Sequence, residues 1–319
     1  MKNEYRLLLV LAANIVMLTL VSSRFILEPM KPAVQADRPR FAVICNSPGS
    51  GWDALCLGID RAAGERDVAV EYIVSAFSGE DADASGIRMA VESRVDGIAI
   101  LPSSGGSGEA IAYAAERGIP VVTMVYDEPE SGEDVFVGAD AAAYGESLLE
   151  AVRSFGGEAE NVGLIYSGEA NRERVEAAER TLGRQYALRT VSRASSHIFD
   201  ASETVKELSM DSGDLEVICC MDDNTTQGAA QAVVDWNMVN KLCIIGTGES
   251  DNLLSMVEKG VVAGVILTDY QQIGQSTVAA LSLLYQGEPV PRGGGAEDFL
   301  RVVTRETAAP HGKEGSHGA

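Results

Sequence analysis

The sequence predicts an α/β fold, with parallel sheets covered by helices on both faces, arranged in two similar lobes behind an apolar N-terminal segment. Three observations lead there. Short apolar runs alternate with longer amphipathic ones along most of the chain, which is the pattern of strand–helix–strand units. The short runs are apolar at successive positions, as strands buried on both faces require. The chain is also weakly self-similar. VDGIAILPSS followed by GIPVVTMVYD echoes LEVICCMDDN followed by KLCIIGTGES, each a strand, a helix and a second strand with a polar loop after each strand.

Taken in order, Lys2 and Arg6 precede an apolar stretch over residues 7–23, and Phe25, Ile26 and Leu27 follow Arg24. Positive charge before such a stretch predicts that the rest of the chain is exported. An uncleaved signal anchor through residue 27 is favoured over a cleaved signal peptide, for which Ser23 or Ala36 would end the small-residue site. No cysteine follows the apolar run directly, the first being Cys45, so a lipid anchor is not expected. The Pro-rich, polar residues 28–39 read as a linker.

Eight strands are expected after that: FAVICN, VAVEYIVS, GIAILP, PVVTMVY, VGLIYS, LEVICCM, KLCIIGTG and VAGVILT. Eight helices fill the gaps: ALCLGIDRAAGE, ASGIRMAVES, GEAIAYAAERG, AAYGESLLEAVRSF, VEAAERTLG, TTQGAAQAVVDW, SDNLLSMVEKG and YQQIGQSTVAALSLLYQ. Residues 307–319, with two of the three histidines, read as a disordered tail.

Several function classes fall away. The net charge of −22 argues against nucleic-acid binding, which needs clustered Lys and Arg. His197 is the sole histidine before the tail, and neither a GxSxG elbow nor a GxxxxGK[ST] loop occurs. An enzyme is therefore not expected. The five cysteines form no CxxC pair. Four sit in apolar strand runs and Cys56 on a helix stripe, so they read as small buried hydrophobes, with no metal and no cofactor implied.

In parallel α/β sheets ligands sit beyond the carboxyl ends of the strands. The loops there carry Ser50, Trp52, Tyr126, Asp127, Arg174, Asp222, Asn224, Glu249 and Asp269. Carboxylates accept pairs of hydroxyl protons and Arg donates in a fixed fork. A flat aromatic covers the apolar face of a sugar ring. Each acidic residue equally suits a helix N-cap, Asp222 before TTQGAAQAV above all. Arg174 opens a helix, where a cation opposes the macrodipole, so solvated decoration explains it poorly.

The ordered set AVICNSPGSGWDALCLG, VDGIAILPSS, GIPVVTMVYD, FVGADAAAYG, the RER helix start, CMDDNTTQGAAQAV, CIIGTGE and LTDYQQIG resembles the type I periplasmic sugar-binding proteins, over about residues 38–305. The same core occurs in the effector domains of lactose-repressor-type regulators. Their basic DNA-binding headpiece is replaced here by an apolar segment.

The resemblance implies two Rossmann-like lobes joined by three crossings and hinged around a ligand. Residues 40–139 with 269–293 would form the N-terminal lobe, and 140–268 with 294–306 the C-terminal one. It implies that Trp52 stacks on the sugar, that Arg174 contacts it, and that Asp222 bonds its hydroxyls. Asp140 falls at the first crossing, and Thr268 or Asp269 near another.

Departures from the family pattern fall at Val125, where an aspartate is usual and Asp127 is the nearest carboxylate. They fall also at Gly248, where Glu249 is adjacent, and at Leu101. The implied function is extracytoplasmic capture of a sugar or polyol. It would serve an ABC permease or, in a membrane-anchored sensory version, a histidine kinase.

Overall fold

The computed structural model describes residues 38–46, 51–74, 82–102, 107–127, 132–167, 172–193, 198–212, 214–290 and 299–308. The segment expected to be an anchor or signal, and Ser50, lie outside them. Among the described residues no helix is long and apolar enough to cross a membrane.

The first sheet has the order β2-β1-β3-β4-β5: β1 (Arg40–Cys45), β2 (Ala69–Val74), β3 (Gly97–Leu101), β4 (Val121–Met124) and β5 (Val135–Val137). All its pairings are parallel. Helices α2 (Ala82–Glu92) and α3 (Gly108–Ala115) cover one face. There Ile87 and Ile111 pack with Ala42, Ile44, Ile98 and Ile100. The other face is covered by α1 (Trp52–Arg66) and α9 (Tyr270–Tyr285), through Leu55, Ile59, Ile273 and Leu281 against Phe41, Val43 and Ala99. Residues 41 to 44 thus alternate between two cores, which is why the run is apolar throughout.

The second sheet has the order β11-β10-β9-β8-β6-β7: β6 (Asn161–Ser167), β7 (Ala187–Arg193), β8 (Val217–Cys220), β9 (Cys243–Thr247), β10 (Gly264–Thr268) and β11 (Leu300–Thr304). Helices α4 (Ala141–Phe155) and α5 (Arg172–Leu182) lie on one face. On the other lie α6 (Ile198–Ser212), α7 (Asp223–Asp235) and α8 (Asp251–Glu258). From its other edge this sheet runs β7-β6-β8-β9-β10, so both sheets share one strand order. The echo between the two halves of the sequence is β3–α3–β4 against β8–α7–β9.

One correction applies to the sheets. β11 runs antiparallel to β10, so the second sheet is mixed. After β10 the chain forms α9 against the first sheet, and β11 starts at the end of the second sheet where β10 finishes, Leu300 opposite Thr268, so it runs back along β10. Thr307 and Ala308 still donate to the Thr304 carbonyl, extending order just past β11.

Candidate functional site

Strand order reverses between β1 and β3 in the first sheet and between β6 and β8 in the second. Ligands bind in α/β sheets at such switch points, beyond the carboxyl ends of the strands. The helices that start there begin at Trp52, Arg172 and Asp223. Topology therefore brings the surroundings of Trp52, Arg174 and Asp222 to the two facing lobe edges.

Arg174 is the centre of this region. It lies in the first turn of α5, only 6 % exposed. Its Nη2 donates to the carbonyls of Val125 at 2.9 Å and Ala139 at 3.4 Å. The guanidinium carbon sits 5.1 Å from the ring centres of both Tyr126 and Tyr144. Two carbonyl oxygens and two ring faces thus offset a cation that the helix N-terminus itself disfavours. No partner is found for Nε or Nη1 among the described residues.

Val125 adopts φ +69°, and Tyr126 N–H donates to the Met124 carbonyl at 2.7 Å. Val125 is therefore the centre of a γ-turn of the rare positive-φ kind. A buried β-branched residue there is a true backbone outlier, costing about 1–3 kcal/mol. Its own N–H donates to the Val137 carbonyl at 3.0 Å.

Behind Arg174, the buried Tyr144 hydroxyl hydrogen-bonds Thr247 Oγ1 and lies 3.9 Å from Met221 Sδ. Burial pushes its pKa up to about 12. After Thr247 the chain passes through Gly248 at φ +135°. A Cβ at Gly248 would come 2.5 Å from Asp223 Oδ2. The Asp223 carboxylate accepts from Ser250 N–H at 3.1 Å and Ser250 Oγ at 2.9 Å, and from Gln227 Nε2. That network pins the loop bearing Glu249 to the start of α7. Burial raises the pKa of Glu249, and the nearby Asp223 and Asp269 carboxylates raise it further.

Three of the expected ligand carboxylates are seen as helix caps. Asp140 accepts from Ala143 N–H at 2.7 Å, Asp222 from Thr225 N–H at 2.8 Å, and Asp269 from Gln272 N–H at 2.9 Å. Asp222 completes a capping box, its own N–H donating to Thr225 Oγ1 at 3.3 Å. Asp269 N–H also donates to the Phe299 carbonyl at 2.9 Å, which ties the residue before α9 to the residue before β11. Trp52 is half-buried and meets Tyr72 edge-on, with ring centres 6.0 Å apart, while packing on the first core. Asp127 and Tyr126 are both half-buried just past β4.

The structure adds residues that were not singled out from sequence. Tyr270 lies so close to Gly51 that a Cβ there would fall 2.3 Å from its ring. The glycine before Trp52 therefore admits Tyr270. Burial raises the Tyr270 pKa, with Tyr126 adding to the shift. At the end of β1, Asn46 Nδ2 donates to the buried Asp83, and Asn46 Oδ1 is buried without a partner among the described residues. A surface hollow of about 430 Å³, walled by Val91, Tyr113, Arg117 and Ile119, lies at the opposite end of the first lobe. Among the described residues no group of three His, Cys, Asp or Glu side chains could hold a metal ion. His197 is outside them.

Comparison with known proteins places this arrangement. The model of the periplasmic binding protein domain matches residues 41–289. The chain belongs to the periplasmic binding protein family. That makes it an extracytoplasmic binding protein and not an enzyme.

Solved structures share its fold. The XylFII–LytSN complex superposes with TM-score 0.71 at 24% identity, covering 85% of this chain and 99% of that one. GanP, a glucose-galactose binding protein from Geobacillus stearothermophilus, gives 0.72 at 22%, covering 84% and 98%. A sugar-binding protein of a sugar ABC transporter from Bacillus halodurans gives 0.74 at 20%, covering 85% and 99%. No curated protein is a significant match to this chain.

Proposed function

We propose that this protein captures a sugar or related polyol between its two lobes for ABC-type uptake. The observation that carries the reading is Arg174. A buried guanidinium lies between two tyrosine rings with Nε and Nη1 unclaimed among the described residues. Hydroxyl oxygens suit those donors, and the rings of Tyr126 and Tyr270 suit the C–H face of a sugar. The reading also assigns Ser50, Trp52, Asp127, Asp140, Asp222, Glu249 and Asp269 to the ligand, Ser50 lying outside the described residues. A carboxylate that caps a helix can accept from a ligand hydroxyl as well. Solved structures of the same fold are described as binding glucose-galactose and arabinose, which supports this ligand class. The lobes would be 40–139 with 269–293 and 140–268 with 294–306.

A second reading makes the same domain a sensor, anchored by residues 1–27 and signalling to a histidine kinase. Its support is the relative solved in complex with a second protein, LytSN, together with the positively flanked apolar N-terminus.

The test is thermal shift of the protein against pentoses, hexoses, inositols and sugar acids, beside Arg174→Ala. A ligand at 100 times its Kd adds about 2.7 kcal/mol of stability. A shift in the wild type that is absent from Arg174→Ala supports the reading. A folded protein that no member of the panel shifts refutes it. Fractionation separates the two versions: a membrane-bound chain with its original N-terminus favours the sensor, and a released chain favours uptake.

A further inference from the structure

The contacts of Arg174 do more than offer donors to a ligand. Its side chain rises from α5 of the second lobe, yet its two bonded acceptors lie elsewhere. Val125 follows β4 of the first lobe, and Ala139 stands on the crossing that leaves β5. Both contacts run from side chain to backbone, so they need no ligand atom. The side chain is 6 % exposed and wedged between Tyr126 of the first lobe and Tyr144 of the second. The acceptor turn is itself unusual. Val125 holds φ +69°, and such strain persists only where the surroundings over-determine it. Three ties do so here: Val125 N–H to the Val137 carbonyl, Tyr126 N–H to the Met124 carbonyl, and Arg174 Nη2 to the Val125 carbonyl.

We infer that Arg174 and the strained turn at Val125 form a ligand-independent latch between the lobes, so that the closed cleft is a populated state before any ligand arrives. Ligand then selects and reinforces that state, since among the described residues Nε and Nη1 remain for it while Nη2 holds the latch. Arg174 acts in this as a positioning residue as well as a ligand donor. The inference rests on the interlobe cleft being the binding site. Its test contains no ligand, so failure of the latch and failure to bind sugar are separate results.

The experiment measures an interlobe distance in the full chain without ligand. Spin labels go on Glu109→Cys at the start of α3 and Asp251→Cys at the start of α8, both exposed. The half-buried Cys56 and Cys243 are first changed to Ala, leaving only the buried Cys45, Cys219 and Cys220. The expected result is a short distance with Arg174 present and a shift to longer, broader distances in Arg174→Ala. Hydrogen exchange of the peptide over residues 121–139 should also quicken at least about tenfold, because two bonds from a charged donor are lost. The strands β8 and β9 should keep their protection. Arg174→Lys keeps the charge without the fork, and serves if the alanine variant fails to fold. It too should open the cleft. A long distance with Arg174 present overturns the inference, and so does an unchanged short distance in either variant.

Discussion

Substituting Gly58 by alanine should destabilise the protein, although helix propensity alone predicts the reverse. Gly58 lies inside α1, and a Cβ there would stand 2.1 Å from the Gln271 carbonyl oxygen of α9. The approach is reciprocal, since a Cβ on Gly274 would fall 2.3 Å from the Leu55 carbonyl oxygen. Both obstacles are backbone, so no side chain can swing aside and the helices must separate by roughly 1 Å to restore contact distance. Overpacking of this kind costs about 1–3 kcal/mol. Backbone against backbone puts it at the upper end. The propensity gain of Gly to Ala returns about 1 kcal/mol, leaving a net loss of about 2 kcal/mol.

At 2–4 °C per kcal/mol for a domain of roughly this size, the midpoint should fall by about 4–8 °C. Gly64 is the internal control. It lies exposed in the same helix with nothing within 4 Å of its Cβ position. Gly64→Ala should therefore raise the midpoint by about 2–4 °C. Thermal melts of the two variants beside the parent decide the matter. If Gly58→Ala melts at or above the parent, the close packing of α1 on α9 is wrong. The placement of Tyr270, the first residue of α9, against Gly51 would then be wrong with it.

Other outcomes rest on the same geometry. Asp222→Ala removes the capping box of α7 and should cost about 1 kcal/mol in a denaturant melt. Asp222→Asn keeps a capping oxygen, so it should hold stability while lowering affinity for a hydroxylated ligand. Gly248→Ala would place a methyl against Asp223 at a φ that L residues avoid. It should cost at least about 2 kcal/mol, and an unchanged melt would refute that loop geometry.

Glu249 has its pKa raised in the fold above the ordinary value of 4.5. The folded state therefore binds the proton more tightly than the unfolded chain, and this group's contribution to stability grows as pH falls through the window between the two values. Glu249→Gln should be more stable than the parent at pH 7, with the difference shrinking below that window. Melts of both proteins across the range test the sign.

The central strands of both sheets are legible because each buries both faces, leaving unbroken apolar runs such as AVIC and VICC. The strands that are not legible are all at sheet edges. β5 is three residues long, too short to register as a run. β7, ALRTVSR, and β11, LRVVT, turn one side to solvent and interleave Arg, Thr and Ser with apolar residues. The unread helix, α6, buries Ala201, Thr204, Val205 and Leu208. That stripe has helical spacing, but two of its four members are small or polar, so its contrast is low.

The site divides along the same physical line, between what a residue is and how its backbone is held. Arg174 is visible in sequence because a cation in a helix's first turn is an electrostatic anomaly, and the structure shows two carbonyls and two rings resolving it. Asp140, Asp222 and Asp269 stay ambiguous at both levels, because N-capping and hydroxyl binding want the same carboxylate at the same end of the same helix. Val125 is the opposite case. Nothing about a valine in VVTMVYD announces a positive φ, since the residue type argues against it. Strain there turns the carbonyl toward Arg174, so that a backbone oxygen accepts from the guanidinium at a position where the family resemblance implies a side-chain carboxylate. A substitution that looks like the loss of a polar contact thus leaves the guanidinium with an acceptor in the first lobe. What changes is the donor set left for the ligand.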